Sequence, residues 1–151
     1  MFARRLNEAV LDKKSPLVVG LDPDITKFPP GLKPAATASS TEIAAAILAF
    51  NKGIIDQVAD LAPAVKPQAA FYEQFGWAGM QALEETARYA QSKGLLVILD
   101  AKRGDIPNTA LAYARAYLAS DENPHVFPCD ALTVNPFLGR DGLEHFVNAA
   151  T

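Results

Sequence analysis

Asp100, Lys102 and Asp105, spaced D-x-K-x-x-D, are the side chains of this 151-residue chain best suited to do chemistry. They follow Leu95-Leu96-Val97-Ile98-Leu99, an apolar run of strand length, so Asp100 falls where a buried strand reaches its C-terminal end. Side chains alternate along a strand, which puts Asp100 and Lys102 on one face and Ala101 on the other. Gly104 allows a turn that could bring Asp105 back, giving an Asp/Lys/Asp array in one place. An ammonium fixed among carboxylates can stabilise negative charge as it develops and supply a proton there. A surface ion pair in a loop has the same spacing; the surroundings of the motif weigh against that reading.

The elements that must position it follow from apolar periodicity. Four segments read as strands: 17–21, 61–65, 95–99 and 131–134. Between them, 41–60 reads as a helix capped by Ser40 or Thr41 with Glu42 in its first turn and Ile43, Ile47, Phe50, Ile54 and Val58 at helical spacing. Residues 73–92 read as a second, with Trp77, Met80, Leu83, Ala87 and Ala90 inward and Gly94 at a left-handed C-terminal position. Helices over 108–119 and 141–149 complete a β-α alternation that calls for a parallel sheet. Polar residues recur at one end of every unit. Asp22, Lys66, Asp100 and Asn135 are separated by 44, 34 and 35 residues, the first interval stretched by a Pro-rich loop (Pro23, Pro29, Pro30, Pro34) expected over the mouth of the site.

A repeat near ~31 residues is that of a (β/α)8 barrel, whose chemistry sits at the C-terminal ends of its strands. Residues 1–151 then form one α/β unit, the N-terminal half of such a barrel with about four of its eight strand-helix units. A half-barrel leaves two open sheet edges, so a fragment or a missing half supplied from elsewhere is expected. An open doubly wound sheet gives the same alternation, but no G-x-G-x-x-G or G-x-x-x-x-G-K-[ST] follows any strand.

Composition narrows the class. Half the residues are apolar, enough for a core, and the net charge of -3 is mixed along the chain, which disfavours nucleic acid or an anionic membrane as partner. No apolar run approaches the ~20 residues of a membrane helix and no signal-peptide pattern follows Met1, so a soluble, cytoplasmic protein is expected. Cys129 is the sole cysteine; it is expected to be buried, with neither His125 nor His145 at a zinc-ligand spacing from it.

Val19-Gly20-Leu21-Asp22-Pro23-Asp24, Val65-Lys66-Pro67-Gln68, Asp100 to Ile106 with Thr109, and Thr133-Val134-Asn135-Pro136-Phe137-Leu138-Gly139 together resemble orotidine 5'-phosphate decarboxylase, in the longer bacterial form of that family, over essentially the whole chain. The resemblance implies cofactor-free and metal-free conversion of orotidine 5'-monophosphate to UMP and carbon dioxide, in pyrimidine biosynthesis. It implies that Lys102 protonates C6, that Asp100 sits against the substrate carboxylate, and that Lys66 and Asp22 hold the ribose hydroxyls and orient the array. Asp105, with Ile106 and Thr109, would reach into the partner's site in a homodimer with shared active sites, and Asn135 would touch substrate.

Other readings stand beside these. Lys66 before Pro67 could be a solvated strand end, Asp22-Pro23 a turn former, and Asn135-Pro136 is explained by turn chemistry as well as by substrate contact. Phe71, Tyr72, Phe75 and Trp77 suit helix packing better than base stacking. Sugar-phosphate lyases that use Mg2+ share D-x-K-x-x-D, but carry an acidic residue where this chain has Lys66, and a lysine repels the cation. A truncated, non-catalytic relic or dimerisation module is the remaining alternative. The phosphate-binding loops of such barrels follow strands seven and eight, so 1–151 alone is expected to be close to inactive.

Overall fold

Short apolar runs form four strands, β1 (Val18–Leu21), β2 (Ala64–Pro67), β3 (Leu96–Arg103) and β4 (Ala131–Val134), in a computed structural model that describes residues 2–118 and 126–150. All neighbours are parallel and the order is β1-β2-β3-β4. Sequential order decides between the two architectures above. Right-handed crossovers between successive neighbours put every helix on the same face, whereas a doubly wound sheet reverses its order to cover both.

The connecting helices are α2 (Ser40–Val58), α3 (Ala70–Glu73), α4 (Gly76–Ser92) and α5 (Pro107–Tyr117), and α6 (Arg140–Ala149) follows β4. Two apolar clusters join this layer to the sheet: one includes Ile47, Ala82, Leu83 and Leu99, the other Leu21, Ile55, Val65, Ala87 and Val97. A third packs Ala110, Ala114 and Phe146 of α5 and α6 over Leu132 and Val134. Thus Val97, Leu99, Leu132 and Val134 face helices, and the alternate residues Asp100, Lys102 and Thr133 project from the other face.

Several expectations shift in detail. The second strand is three residues later than 61–65, because Leu61 and Ala62 close a turn on the Val58 carbonyl and Pro63 has no N–H to give; Lys66 therefore lies inside β2. Ser39, rather than Ser40 or Thr41, caps α2 in a reciprocal capping box with Glu42, worth about 1 kcal/mol. The expected 73–92 helix is two helices, broken at Phe75 with Gly76 at φ +63°. A Cβ on Gly79 would meet the Tyr72 carbonyl oxygen at 2.0 Å, so this close crossing of α3 and α4 admits only glycine. Gly94 holds the expected left-handed position at φ +80°. Trp77 is 78% exposed; it shares a solvent stripe with Gln81, Glu84 and Arg88, one step off the buried Ala78–Ala82 row. Tyr72, by contrast, is fully buried.

Sequence periodicity also left out α1 (Phe2–Lys13), an amphipathic helix anchored where Arg5 Nη2 meets Asp130 Oδ1 at 2.6 Å, ahead of β4. Asp130 also accepts from Val97 N (2.7 Å), tying the first turns of β3 and β4 together. Cys129 is half-buried rather than buried; its thiol donates to the Tyr117 carbonyl, and burial pushes its pKa up to about 12. Residue 119 of the expected 108–119 helix and His125 lie outside the described residues. The Pro-rich loop is anchored by Phe28, stacked on Phe50 of α2 at 4.3 Å; no hydrogen bond or ion pair among the described residues joins it to Lys66, Asp100 or Lys102.

Candidate active site

Asp100 is 7% exposed, and a buried carboxylate without partners would be prohibitively costly. Four donors from three strand ends meet it. Oδ2 accepts from Lys66 Nζ at 2.9 Å and from Gln68 Nε2 at 3.0 Å. Oδ1 accepts from Lys102 Nζ at 2.6 Å and from Thr133 Oγ1 at 2.9 Å. Burial alone would raise the carboxyl's pKa, but bonds from Lys102, Lys66 and Thr133 outweigh it and hold the group well below the usual carboxylate range. Asp100 is a fixed anion, unable to serve as a proton donor near neutrality.

The sheet brings these groups together by register. Val65 pairs with Val97, and three residues on, Gln68 bridges to Asp100, so Lys66 and Gln68 flank the carboxylate from β2. On the other side the register breaks. Leu99 pairs with Leu132 and Arg103 with Val134, so Asp100, Ala101 and Lys102 together oppose the single residue Thr133. Lys102 sits in this bulge at φ +49°, a left-handed conformation costly for a residue with a Cβ. The Thr133 hydroxyl accepts from Lys102 N at 3.0 Å while donating to Asp100. Lys102 is 63% exposed along its side chain although its ammonium is held by the buried carboxylate. It is therefore an accessible ammonium held in one direction.

The remaining candidates stand outside this cluster. Asp22, directly after β1, is exposed and makes no hydrogen bond or ion pair among the described residues. Beneath it Tyr72 donates its hydroxyl to the Leu21 carbonyl (3.1 Å) and accepts from Asn51 Nδ2 (2.9 Å), which also donates to Thr86 Oγ1 (3.1 Å). Burial, with Asp22 nearby, pushes the Tyr72 phenol above its ordinary pKa against the opposing Asn51 bond.

Asp105 does not return to Asp100 and Lys102 within the chain. Its Oδ1 accepts from Ile106 N at 2.7 Å, at the start of α5. The expected turn at Gly104 gives way to a close contact: a Cβ there would lie 2.8 Å from the Asn135 carbonyl oxygen, so glycine lets the β3 and β4 ends touch. Asn135 uses its side-chain oxygen to accept from Phe137 N at 3.0 Å, which is turn chemistry. Ile106 is 63% exposed and Thr109 is half-buried on α5.

Gln68 and Thr133 are the members that residue-by-residue reasoning passed over. Strand parity held the signal: Gln68 follows Lys66 by two residues, and Thr133 precedes Asn135 by two.

The family model for the orotidine 5'-phosphate decarboxylase / HUMPS family matches residues 15–151. Orotidine 5'-phosphate decarboxylase of Rhodopirellula baltica is 51% identical over 149 residues, covering 97% of this chain and 49% of that protein. The Haloarcula marismortui protein of the same name is 45% identical, with 99% and 49% covered. Among solved structures, a putative orotidine 5'-phosphate decarboxylase from Streptomyces avermitilis superposes with a TM-score of 0.78 at 38% identity, covering 99% of this chain and 48% of that one. Leishmania donovani UMP synthase gives 0.74 at 38% identity, with 97% and 27% covered. The chain spans about half the length of the curated relatives it matches, and its four successive strand-helix units are those of the first half of a (β/α)8 barrel. With a match over nearly all its length and the Asp100 cluster at its strand ends, the chain belongs to the orotidine 5'-phosphate decarboxylase / HUMPS family.

Proposed function

We propose that the full-length protein carrying this chain decarboxylates orotidine 5'-monophosphate to UMP, as a cytoplasmic enzyme of pyrimidine synthesis needing no cofactor. The observation that carries this reading is the saturation of Asp100 by Lys66, Gln68, Lys102 and Thr133. Loss of carbon dioxide from a vinylic carbon leaves a localised carbanion, which needs a nearby positive charge and then a proton. Asp100 is held as an anion, so the accessible Lys102 ammonium is the group that stabilises the electron pair left at C6 when the C–C bond breaks and then gives it a proton, forming the C–H bond. Its direction is set before substrate arrives, so little reorganisation is needed. Asp100 lies against the departing carboxylate and holds both lysines in place.

In the same reading Asp22 and Lys66 bind the ribose hydroxyls. Asp105, which has no ion pair among the described residues, serves the site of a second subunit, with exposed Ile106 and Thr109 at a two-fold interface. The phosphate is gripped by the half of the barrel beyond this chain, so residues 1–151 alone are close to inactive. A lysine at position 66, 2.9 Å from the central carboxylate, disfavours the Mg2+-dependent lyases, which need an acid there.

The test is release of carbon dioxide from orotidine 5'-monophosphate by the full-length protein in EDTA. Lys102→Ala should lower turnover by at least ~10²- to 10⁴-fold while the fold persists. Turnover that required Mg2+, or survived in Lys102→Ala, would remove the reading.

A further inference from the structure

Thr133 is the single β4 residue facing three residues of β3, and its side chain does what its backbone cannot do across that bulge. Ladder hydrogen bonds lapse where three residues oppose one, leaving the Lys102 N–H to be satisfied by other means. The Thr133 hydroxyl accepts that N–H at 3.0 Å and donates its own O–H to Asp100 Oδ1 at 2.9 Å. Asp100 Oδ1 in turn takes the Lys102 ammonium at 2.6 Å. One hydroxyl therefore closes a ring that holds Lys102 at both ends, backbone and ammonium. Lys102 needs such a hold, because at φ +49° its backbone is in a conformation that a lysine leaves when released.

The geometry points to Thr133 as a positioning residue for proton transfer: its hydroxyl holds the bulge in which Lys102 sits and so aims the ammonium. This deepens the decarboxylase reading and rests on it for the activity part. The hydroxyl has no need to touch substrate, so its loss should appear in kcat and leave binding almost unchanged.

The experiment compares Thr133→Val, which keeps the branched shape but has no hydroxyl, with Thr133→Ser, which keeps the hydroxyl, both in the full-length protein. For orotidine 5'-monophosphate the valine variant should lose about 10- to 100-fold in kcat with KM changed by less than about threefold, the scale expected of a misplaced reacting group. The serine variant should stay within about threefold of the parent. A second readout needs no activity: amide hydrogen exchange at Lys102 should accelerate at least tenfold in the valine variant and not in the serine variant. If the valine variant does not fold, Thr133→Ala takes its place in both measurements.

Unchanged Lys102 exchange in a folded hydroxyl-free variant overturns the clamp. So does a loss shared equally by valine and serine, or a rise in KM at constant kcat. A parent protein without decarboxylase activity sinks the functional reading instead, and the exchange measurement still decides whether Thr133 holds Lys102.

Discussion

Replacing Lys102 once by glycine and once by alanine isolates the backbone strain at the proton donor. Both changes remove the same ammonium and the same bond to Asp100, so the cost of that lost contact cancels between them. What remains is the Cβ at φ +49°. A left-handed conformation costs a residue with a Cβ roughly 1–2 kcal/mol, and glycine escapes that cost. Against this, glycine in an extended segment is about 0.5–1 kcal/mol less stable than alanine through the freedom it regains on unfolding. The balance favours glycine by about 0–1.5 kcal/mol. Urea unfolding of the full-length variants at constant m reads this as a higher midpoint for Lys102→Gly than for Lys102→Ala. Ala101→Gly, next door in the same strand and without positive φ, should show the opposite sign. Lys14→Gly, just past α1 at φ +51°, should likewise be more stable than Lys14→Ala, with turnover unchanged. An alanine variant more stable than the glycine one at position 102, as expected at the unstrained Ala101, would refute the strain argument, and with it the idea that the bulge is held against a preference to relax.

Asp100 gives a pH signature. Its folded-state pKa lies below the unfolded value, so its contribution to stability is complete above pH ~4 and is lost as pH falls through the folded-state pKa. The stability gap between the parent and Asp100→Asn, followed by urea unfolding, should be constant from pH 7 to 5 and narrow below ~4; a gap that widened on acidification would mean the carboxyl is not held as an anion. For the proposed shared site, Lys102→Ala and Asp105→Ala subunits mixed into heterodimers should regain activity, because one of the two sites then has both residues. Confirmed heterodimers with no recovery would put both residues in one subunit's site.

The strand-helix alternation was legible because each element buries a continuous apolar stripe against the next, and burial is what periodicity encodes. Element ends were less so. Leu61 and Ala62 are apolar but close a turn, and only the Pro63 backbone and the α2 carbonyls decide where β2 begins. Helix α1 buries none of its residues fully and precedes the first strand, outside the strand-helix alternation from which the other helices were read. Trp77 misled because hydrophobicity alone assigns it inward, whereas the narrow Ala78–Gly79–Ala82 face of α4 has no room for it.

Within the site, same-strand relations could be read and cross-strand ones could not. The pairing of Asp100 with Lys102 follows from a period of two and is what the structure contains. The bulge that makes three β3 residues oppose Thr133 depends on the partner strand, and nothing in Lys102 as a residue announces a left-handed backbone. The return of Asp105 expected from a turn at Gly104 depended on the next strand as well: Gly104 brings the β3 end onto Asn135, and the Asp105 carboxylate accepts from Ile106 N at the start of α5 instead. The middle of the array is thus fixed by one strand and its geometry tuned by the next. Stability and chemistry then meet at one residue, since the same Lys102 that strains β3 is the ammonium Asp100 holds in place.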